Sequence, residues 1–389
     1  MRILGIETSC DETAISIIDA TGDFDYNFKF AVLGDALLSQ AKKHAEFGGV
    51  YPDLAKREHA KNLVPILQKS LSEANLLSPS EKPEIPKDAL EHAKTILERE
   101  PKLFARLLPF FAQYKKPDID AISVTVGPGL EPALWVGINF ARVLSELWNI
   151  PIVGVNHMEG HIMISSVQEN TLATISFPAL ALLISGGHTE LVLMKEWMHY
   201  ERIGETRDDA VGEAFDKVAR LLGLPYPGGP EISRLAREAR KENLEQPFSL
   251  PRPMLSSGDN DFSFSGLKTA VRTLVERMEE ITEITKKQIA REFEDAATEV
   301  LVAKVRAAIE EYGAQTLILG GGVSANTHIK EKITDLLENQ YTDIKVLVSP
   351  AERATDNAIM IALAGYFHAL KSEYSDPETL RANGNLKLC

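Results

Sequence analysis

Apolar and β-branched residues arrive in short bursts separated by polar turns, and the bursts repeat to one design. Ile3 to Ile6 and Ala14 to Ile18 flank the polar run Glu7-Thr8-Ser9-Cys10-Asp11-Glu12-Thr13, which predicts strand, turn, strand. Half a chain later, Leu180 to Ile184 and Leu191 to Met194 flank Ser185-Gly186-Gly187-His188-Thr189 in the same way. A third strand, Thr316 to Leu319, runs into Gly320-Gly321-Gly322, with a helix start expected at Ser324-Ala325-Asn326. Ala121 to Val126 and Ile152 to Val155 read as further strands alternating with helical stretches, so the class is α/β and the architecture duplicated. The strongest helix signal covers Lys286 to Tyr312. Ile289, Phe293, Ala296, Val300 and Ala303 recur at helical spacing, Thr285 can cap the start and Gly313 can stop the end.

At roughly 150 residues per domain, a chain of 389 residues predicts two or three domains. Residues 69 to 117 stand apart. They hold six prolines, nine basic and seven acidic residues, with a helical pattern from Ala89 to Glu98 and an apolar one from Leu103 to Phe111. So many Leu and Phe residues cannot stay solvated, so the segment reads as an inserted helical excursion: either packed on its own host or a contact for a partner or RNA.

Charge changes the picture of possible partners. The chain carries 42 Lys and Arg against 56 Asp and Glu, a net charge of −14, so its surface as a whole repels nucleic acid, and any such contact needs a local basic patch or a partner. Cys10 and Cys389 alone make neither a disulfide framework nor a Cys-rich zinc module, which fits a reduced compartment. The longest apolar run, Phe177 to Ile184, is far below the roughly 18 residues a membrane span needs. With a strand beginning at Arg2 and no signal pattern, the expectation is a soluble cytoplasmic protein.

Glycine turns after strands let backbone N–H groups approach phosphate oxygens, because no Cβ intervenes. Ser185-Gly186-Gly187, Gly320-Gly321-Gly322 and Gly228-Gly229 all fit, though such glycines also make plain turns. No G-x-x-x-x-G-K-[ST] is present, which excludes a P-loop enzyme, and no strand-linked G-x-G-x-x-G favours a dinucleotide. His157 and His161, at i and i+4, share a helix face and can share a metal; the alternative is a pair of surface or capping histidines. A zinc protease needs Glu directly after the first His, but that position is Met158 and the carboxylate comes at Glu159. Asp356, ahead of the apolar stretch Ala358 to Tyr366, is a candidate third ligand or an ordinary N-cap. Asp11 and Glu12 suit metal coordination, proton transfer or simple turn chemistry. Asp216 is either a helix-surface ion or an acceptor for a ribose hydroxyl.

Ten ordered runs together resemble one family. They begin with Gly5 to Thr13, then Gly48-Gly49-Val50-Tyr51-Pro52 with Ala55, Arg57 and His59, then Gly127-Pro128-Gly129-Leu130. Asn156-His157-Met158-Glu159-Gly160-His161, Ser185 to Thr189, Gly212-Glu213-Ala214-Phe215-Asp216-Lys217 and Tyr226-Pro227-Gly228-Gly229-Pro230 follow. Phe264-Ser265-Gly266-Leu267-Lys268, Gly320 to Asn326 and Thr355-Asp356-Asn357 complete the pattern. It is similar to the catalytic subunit of tRNA N6-threonylcarbamoyladenosine synthesis, a family formerly called glycoproteases. The resemblance implies an actin-like, sugar-kinase-like ATPase fold of two duplicated ribonuclease-H-like lobes around a nucleotide cleft. The lobes would span 1–172 (with the insertion at 69–117) and 173–355, with a C-terminal helix, 356–389, returning to the first lobe. It implies transfer of threonylcarbamoyl from threonylcarbamoyl-adenylate to N6 of the adenosine 3′ of the anticodon, in tRNAs reading codons that begin with A.

Carried over position by position, the resemblance makes His157, His161 and Asp356 ligands of one divalent metal, iron or zinc, and Asp11 and Glu12 the acids needed for activity. Leu183, Ile184, Ser185, Gly186 and Gly187 would line the phosphate of threonylcarbamoyl-adenylate or ATP, with Asp216, Gly229 and Asn326 as further nucleotide contacts. Partners implied are tRNA with, in bacterial style, an inactive paralogue and a small P-loop ATPase, or otherwise a kinase-like protein. Lys268, Arg272 and Arg277 are candidate tRNA contacts; the bland reading is a solvated cationic helix face. Glu131 stands where the family carries a small or apolar residue, and the 69–117 segment is absent from typical members. The competing functions are a small-molecule kinase of the same fold, which has no use for the histidine pair, and a non-catalytic paralogue, which would have lost the ligands and glycine turns.

Overall fold

The computed structural model describes residues 1–24, 27–80 and 86–388; Cys389 and residues 81–85 of the 69–117 segment lie outside it. The chain divides into two compact units, one of Met1–His44, Val50–Ala173 and Asp356–Leu388, the other of Ala45–Gly49 and Thr174–Thr355.

In the first unit, β1 (Arg2–Glu7), β2 (Glu12–Thr21) and β3 (Lys29–Ser39) form an antiparallel meander. The short α1 (Ala41–Ala45) and α2 (Pro52–Glu73) follow, then α3 (Lys87–Ile96) and α4 (Pro101–Gln113). β4 (Ala121–Gly127), α5 (Glu131–Trp148), β5 (Ile152–Asn156) and α6 (His157–Ser165) come next, and then the small pair β6 (Val167–Gln168) and β7 (Thr171–Leu172). The sheet order is β3-β2-β1-β4-β5, with β4 parallel to both β1 and β5. After its first residue β1 is wholly buried, as a central strand covered on both faces must be.

The second unit repeats that topology. β8 (Ala179–Ile184), β9 (Thr189–Glu196) and β10 (His199–Glu205) are an antiparallel meander. After α7 (Val211–Leu221), α8 (Gly228–Lys241), α9 (Ser265–Glu276) and α10 (Glu283–Tyr312) comes β11 (Thr316–Gly320), parallel to β8. A 3₁₀ turn (Gly322–Ala325), α11 (Thr327–Gln340) and β12 (Lys345–Val348) complete the order β10-β9-β8-β11-β12. The doubled strand–turn–strand pattern thus marks two five-stranded ribonuclease-H-like sheets, the lobe of the actin-like fold. The last helix, α12 (Ala358–Leu370), belongs to the first unit.

Two local expectations shift. α10 begins a turn earlier than the apolar spacing suggests, because Thr282, not Thr285, is its cap: the Thr282 side chain accepts from the Thr285 N–H. The added turn, Glu283-Ile284-Thr285, places its one apolar side chain, Ile284, in solvent, off the buried stripe that hydrophobic periodicity registers. The helix after Gly322 likewise resolves into the 3₁₀ turn and then α11, capped by Asn326. Gly313 ends α10 in the left-handed conformation, φ 63°, that glycine adopts without strain.

α3 and α4 pack into the core of the first unit. Leu103, Leu107, Phe110 and Phe111 join Leu63, Leu67 and Leu71 of α2 and Trp148 of α5, and Phe111 meets Trp148 edge-on at 5.9 Å. The excursion closes at its neck, where Ser80 N–H donates to Gln113 O and Lys115 N–H to Ser78 O. Glu131, at the first position of α5, sits where a negative charge is favoured by the helix dipole. Among the described residues no helix is long and apolar enough to cross a membrane.

α12 is apolar on every side and buried throughout most of its length, as such a helix must be. It lies so close on β1 that a Cβ on Gly5 would stand 2.8 Å from Ala362 N and 2.9 Å from its Cβ, and closer still to Ala358 O. Gly5→Ala is therefore expected to destabilise the protein by about 1–3 kcal/mol through overpacking, measured by chemical denaturation. An unchanged midpoint and slope would show that the contact yields freely.

Candidate functional site

β5 ends at Asn156 and α6 begins at the next residue, because the Asn156 side chain accepts from the Met158 N–H and turns the strand directly into a helix. His157 and His161 therefore stand one helical turn apart, with ring centroids 4.7 Å apart and planes at 87°. Gly160 between them faces α12, where a Cβ would meet Met360 and Ile361 at 3.1 Å. At the start of α12 the cap is Asn357, which accepts from the Met360 N–H. Asp356 is thus not the cap. Its Oδ1 lies 3.1 Å from Nε2 of His161 and 3.4 Å from Nε2 of His157.

One ligand atom from each of these residues lies within 4.8 Å of the other two. Two imidazoles from α6 and one carboxylate from the residue before the α12 cap suit a single iron or zinc ion with further positions open. His161 Nδ1 is buried without a hydrogen-bond partner among the described residues, while Asp356 keeps 20% of its side chain exposed, so the cluster has an accessible side. The residues fit one metal ion.

Glu7, to which the sequence reading assigned no role, completes the arrangement. It ends β1 fully buried; Oε2 lies 3.0 Å from His157 Nδ1 and accepts from the Thr125 hydroxyl at 2.6 Å, while Oε1 accepts from the Ser9 N–H. A carboxylate on Nδ1 holds the proton there and leaves Nε2 as the ligand. The available signal was a carboxylate extending an otherwise apolar buried strand.

Electrostatics agree with a cation site. Burial would raise the Glu7 carboxyl, but the charge and hydrogen bond of His157 outweigh it and hold it below its ordinary value. Burial opposes ionisation of Asp356 too, and His157 again prevails, holding it well below. His157 is driven the other way: burial favours the neutral ring, yet Asp356 and Glu7 raise it well above the ordinary histidine value. Without a metal, a proton on His157 supplies the positive charge between two carboxylates. Glu159 points elsewhere. Two residues from each histidine it lies on the far side of α6, 2.9 Å from His368 Nε2 on α12.

Asp11 and Glu12 occupy the β1–β2 turn of the same unit, and Glu12 Oε1 accepts from the Ser39 hydroxyl at 3.0 Å. Burial first, then the charges of Asp356 and Asp11, push Glu12 up to about 9, so it holds a proton at neutral pH. A cation at the three ligands would offset the Asp356 part of that shift. The Cys10 thiol is raised well above its ordinary value by burial and then by Asp11, which removes it as a thiolate nucleophile.

The remaining candidates lie in the second unit. Leu183 and Ile184 are fully buried strand residues, so only their backbone can meet a ligand. Glycines bring the loops around them together. A Cβ on Gly212, at the start of α7, would stand 2.5 Å from Ser185 O, and one on Gly321 would stand 2.5 Å from Ile184 O. Gly186, Gly187 and Gly322 face open space instead. The α8 end is tied in by Asp216, whose Oδ1 accepts from the Gly228 N–H at 2.7 Å beside Gly229. The Asn326 amide donates to Ser233 and Glu294 while its oxygen caps α11, so its side chain ties the start of α11 to α8 and α10. The three cations are set apart on and after α9. Lys268 lies 3.6 Å from Asp209 and Arg272 lies 3.9 Å from Glu276, while Arg277 follows the helix end.

The family model described as tRNA N6-adenosine threonylcarbamoyltransferase matches residues 31–80 and 86–363. Proteins of that name are similar over nearly full length. The one from Persephonella marina is 42% identical over 94% of this chain and 90% of its own. Those from Thermosipho africanus (40% identical, 100% of both chains) and Chromobacterium violaceum (40%, 97% and 95%) are alike. Among solved structures, HypF from T. kodakarensis matches at TM-score 0.48 and 14% identity over 73% of this chain and 44% of its own. The ROK hexokinase from Thermus thermophilus matches at TM-score 0.45 and 11% identity over 96% and 99%.

Two outcomes follow from the metal geometry. Glu7→Gln is expected to weaken zinc binding about 10- to 100-fold while the protein stays folded, measured by competition with a chelator. Affinity equal to the parent would remove Glu7 from the site. Because His157 must lose its proton to ligate, apparent affinity should fall about tenfold per pH unit below its raised pKa. Affinity independent of pH would mean that no proton is displaced.

Proposed function

The chain belongs to the tRNA N6-adenosine threonylcarbamoyltransferase family, and from that premise we propose that it moves threonylcarbamoyl from threonylcarbamoyl-adenylate to N6 of the adenosine 3′ of the anticodon, in tRNAs reading codons that begin with A. The observation that carries this reading is the buried His157–His161–Asp356 cluster backed by Glu7. A small-molecule kinase has no chemical use for it.

The donor is a mixed anhydride whose carbonyl gathers negative charge as an amine attacks. An iron or zinc ion held by His157, His161 and Asp356 would act as a Lewis acid toward that charge. The protein's own groups supply the rest. Backbone N–H groups at Gly186 and Gly187 bind the adenylate phosphate, where no Cβ obstructs the approach, while the Ser185 N–H is given to His188 O and closes the turn. Asp216, Gly229 and Asn326 form the nucleotide end, where Asp216 ties α7 to the start of α8 and Asn326 ties α11 to α8 and α10. The adenine N6 amine is a weak nucleophile because its lone pair is delocalised into the ring. Asp11 orients that amine and takes its proton as the C–N bond forms and the adenylate leaves; protonated Glu12 beside it steadies the Asp11 carboxylate.

Holding tRNA against a net charge of −14 requires local cations, for which Lys268, Arg272 and Arg277 are proposed, together with partners. The proposed partners are an inactive paralogue and a small P-loop ATPase, or otherwise a kinase-like protein, acting in the cytoplasm.

The test mixes the purified protein, synthetic threonylcarbamoyl-adenylate, an unmodified tRNA of the stated class and the candidate partners, and weighs the digested nucleosides. Threonylcarbamoyl mass on adenosine is expected, lost in His157→Ala and reduced about 100-fold or more in Asp11→Asn with adenylate binding retained. No product with a loaded metal and authentic partners would overturn the reading.

A further inference from the structure

The β1–β2 turn is gripped from outside, through three successive carbonyls. Ser9 O accepts from the Leu130 N–H at 2.7 Å, Cys10 O from His59 Nε2 at 3.0 Å and Asp11 O from the Gln40 N–H at 2.8 Å. Cys10 O and Asp11 O belong to the two peptide planes on either side of the Asp11 Cα. Peptide groups are rigid, so holding both planes fixes the Asp11 backbone and the direction of its Cα–Cβ bond, from which the carboxyl swings. His59 is the one side chain among these three donors, and therefore the one that substitution can remove.

The proton on His59 is placed by a chain of bonds that starts at an unambiguous donor. The Tyr51 N–H can only donate, and it meets His44 Nδ1 at 3.2 Å. The His44 proton must then sit on Nε2, which donates to Gln40 Oε1 at 3.2 Å. With its oxygen so engaged, Gln40 turns its NH₂ toward His59, 3.3 Å from Nδ1, where the Thr13 hydroxyl also arrives at 2.8 Å. Nδ1 is thus an acceptor, and the single proton of neutral His59 lies on Nε2, aimed at Cys10 O. Gln40, His44 and His59 are all buried, which keeps water from competing for these bonds. Burial also keeps both rings neutral, holding His59 down at about 4 and His44 below its ordinary value.

We propose that His59 is a positioning residue of the transfer site, and that the chain Tyr51–His44–Gln40–His59 sets where the Asp11 and Glu12 carboxyls stand. The inference rests on the roles given above to those two acids.

Two variants test it. Gln at position 59 can place an amide nitrogen near the imidazole Nε2 and still donate to Cys10 O; Leu fills the space without a donor. In His59→Leu, amide exchange of residues 9–13 is expected to quicken about tenfold, the equivalent of one net hydrogen bond. Turnover with synthetic threonylcarbamoyl-adenylate should fall about tenfold or more, at unchanged KM and unchanged metal per chain. His59→Gln should bring both readouts back to within about threefold of the parent. Parental exchange and turnover in His59→Leu would overturn the inference. So would equal impairment of both variants with loss of bound metal, which marks a general structural role. Normal turnover in both Asp11→Asn and Glu12→Gln would instead defeat the catalytic assignment, while the exchange of residues 9–13 would still decide whether His59 holds the turn.

Discussion

A carboxylate buried at the end of a central strand is costly unless it is paired and hydrogen-bonded, and the first unit is organised around meeting that demand at Glu7. Thr125 on the neighbouring strand and the Ser9 N–H in the turn each satisfy part of it, and His157 supplies the balancing charge. The imidazole is in turn committed to Asp356 on its other nitrogen. Three elements distant in sequence, β1, the start of α6 and the approach to α12, are therefore tied by one buried ionic arrangement. Strength alone does not account for it, since such groups are often replaceable by apolar ones without loss of stability. What the arrangement does is hold one nitrogen of each histidine toward a common point.

Asparagine caps make that point accurate. Asn156 starts α6 immediately before the first ligand, and Asn357 starts α12 immediately after the third. In each case the residue beside the ligand does the capping, which leaves the ligand itself for other work. Close packing sets the remaining distance. Gly5 on β1 and Gly160 on α6 both turn toward α12, where a larger side chain would push the helix, and Asp356 with it, outward. Glu159 adds a tie between α6 and α12 through His368, on the face of α6 away from the ligands.

The two units share a strand order but not a chemistry. In the first, the meander turn carries acids and is clamped by histidine and glutamine. In the second, the equivalent turn is Ser185-Gly186-Gly187, with open space where side chains would be. Duplication of the backbone thus provides two strand-end turns, and the side chains at those turns decide what each can bind. Asn326, which the resemblance makes a nucleotide contact, also ties α8, α10 and its own helix together through its side chain.

By itself the sequence determined the strands β1, β2, β4, β5, β8, β9 and β11, though not β3, β10 or β12, along with both hairpins, the duplicated α/β plan and the one-turn spacing of His157 and His161. All of these depend on interactions between residues a few positions apart, which periodicity and capping rules report directly. One error was of the same short range: Thr282 was passed over for Thr285 because the extra turn of α10 buries nothing, its Ile284 being exposed. The sequence could not choose between a ligand and a cap at Asp356, saw no role for Glu7, and met His59 only as part of a motif. Those decisions belong to tertiary structure. Asp356 reaches His161 across 195 positions and Glu7 reaches His157 across 150, and the contacts exist because α12 packs against β1 and α6 follows β5 in the same sheet. Residue type supplied the donors, and packing alone decided which of them meet.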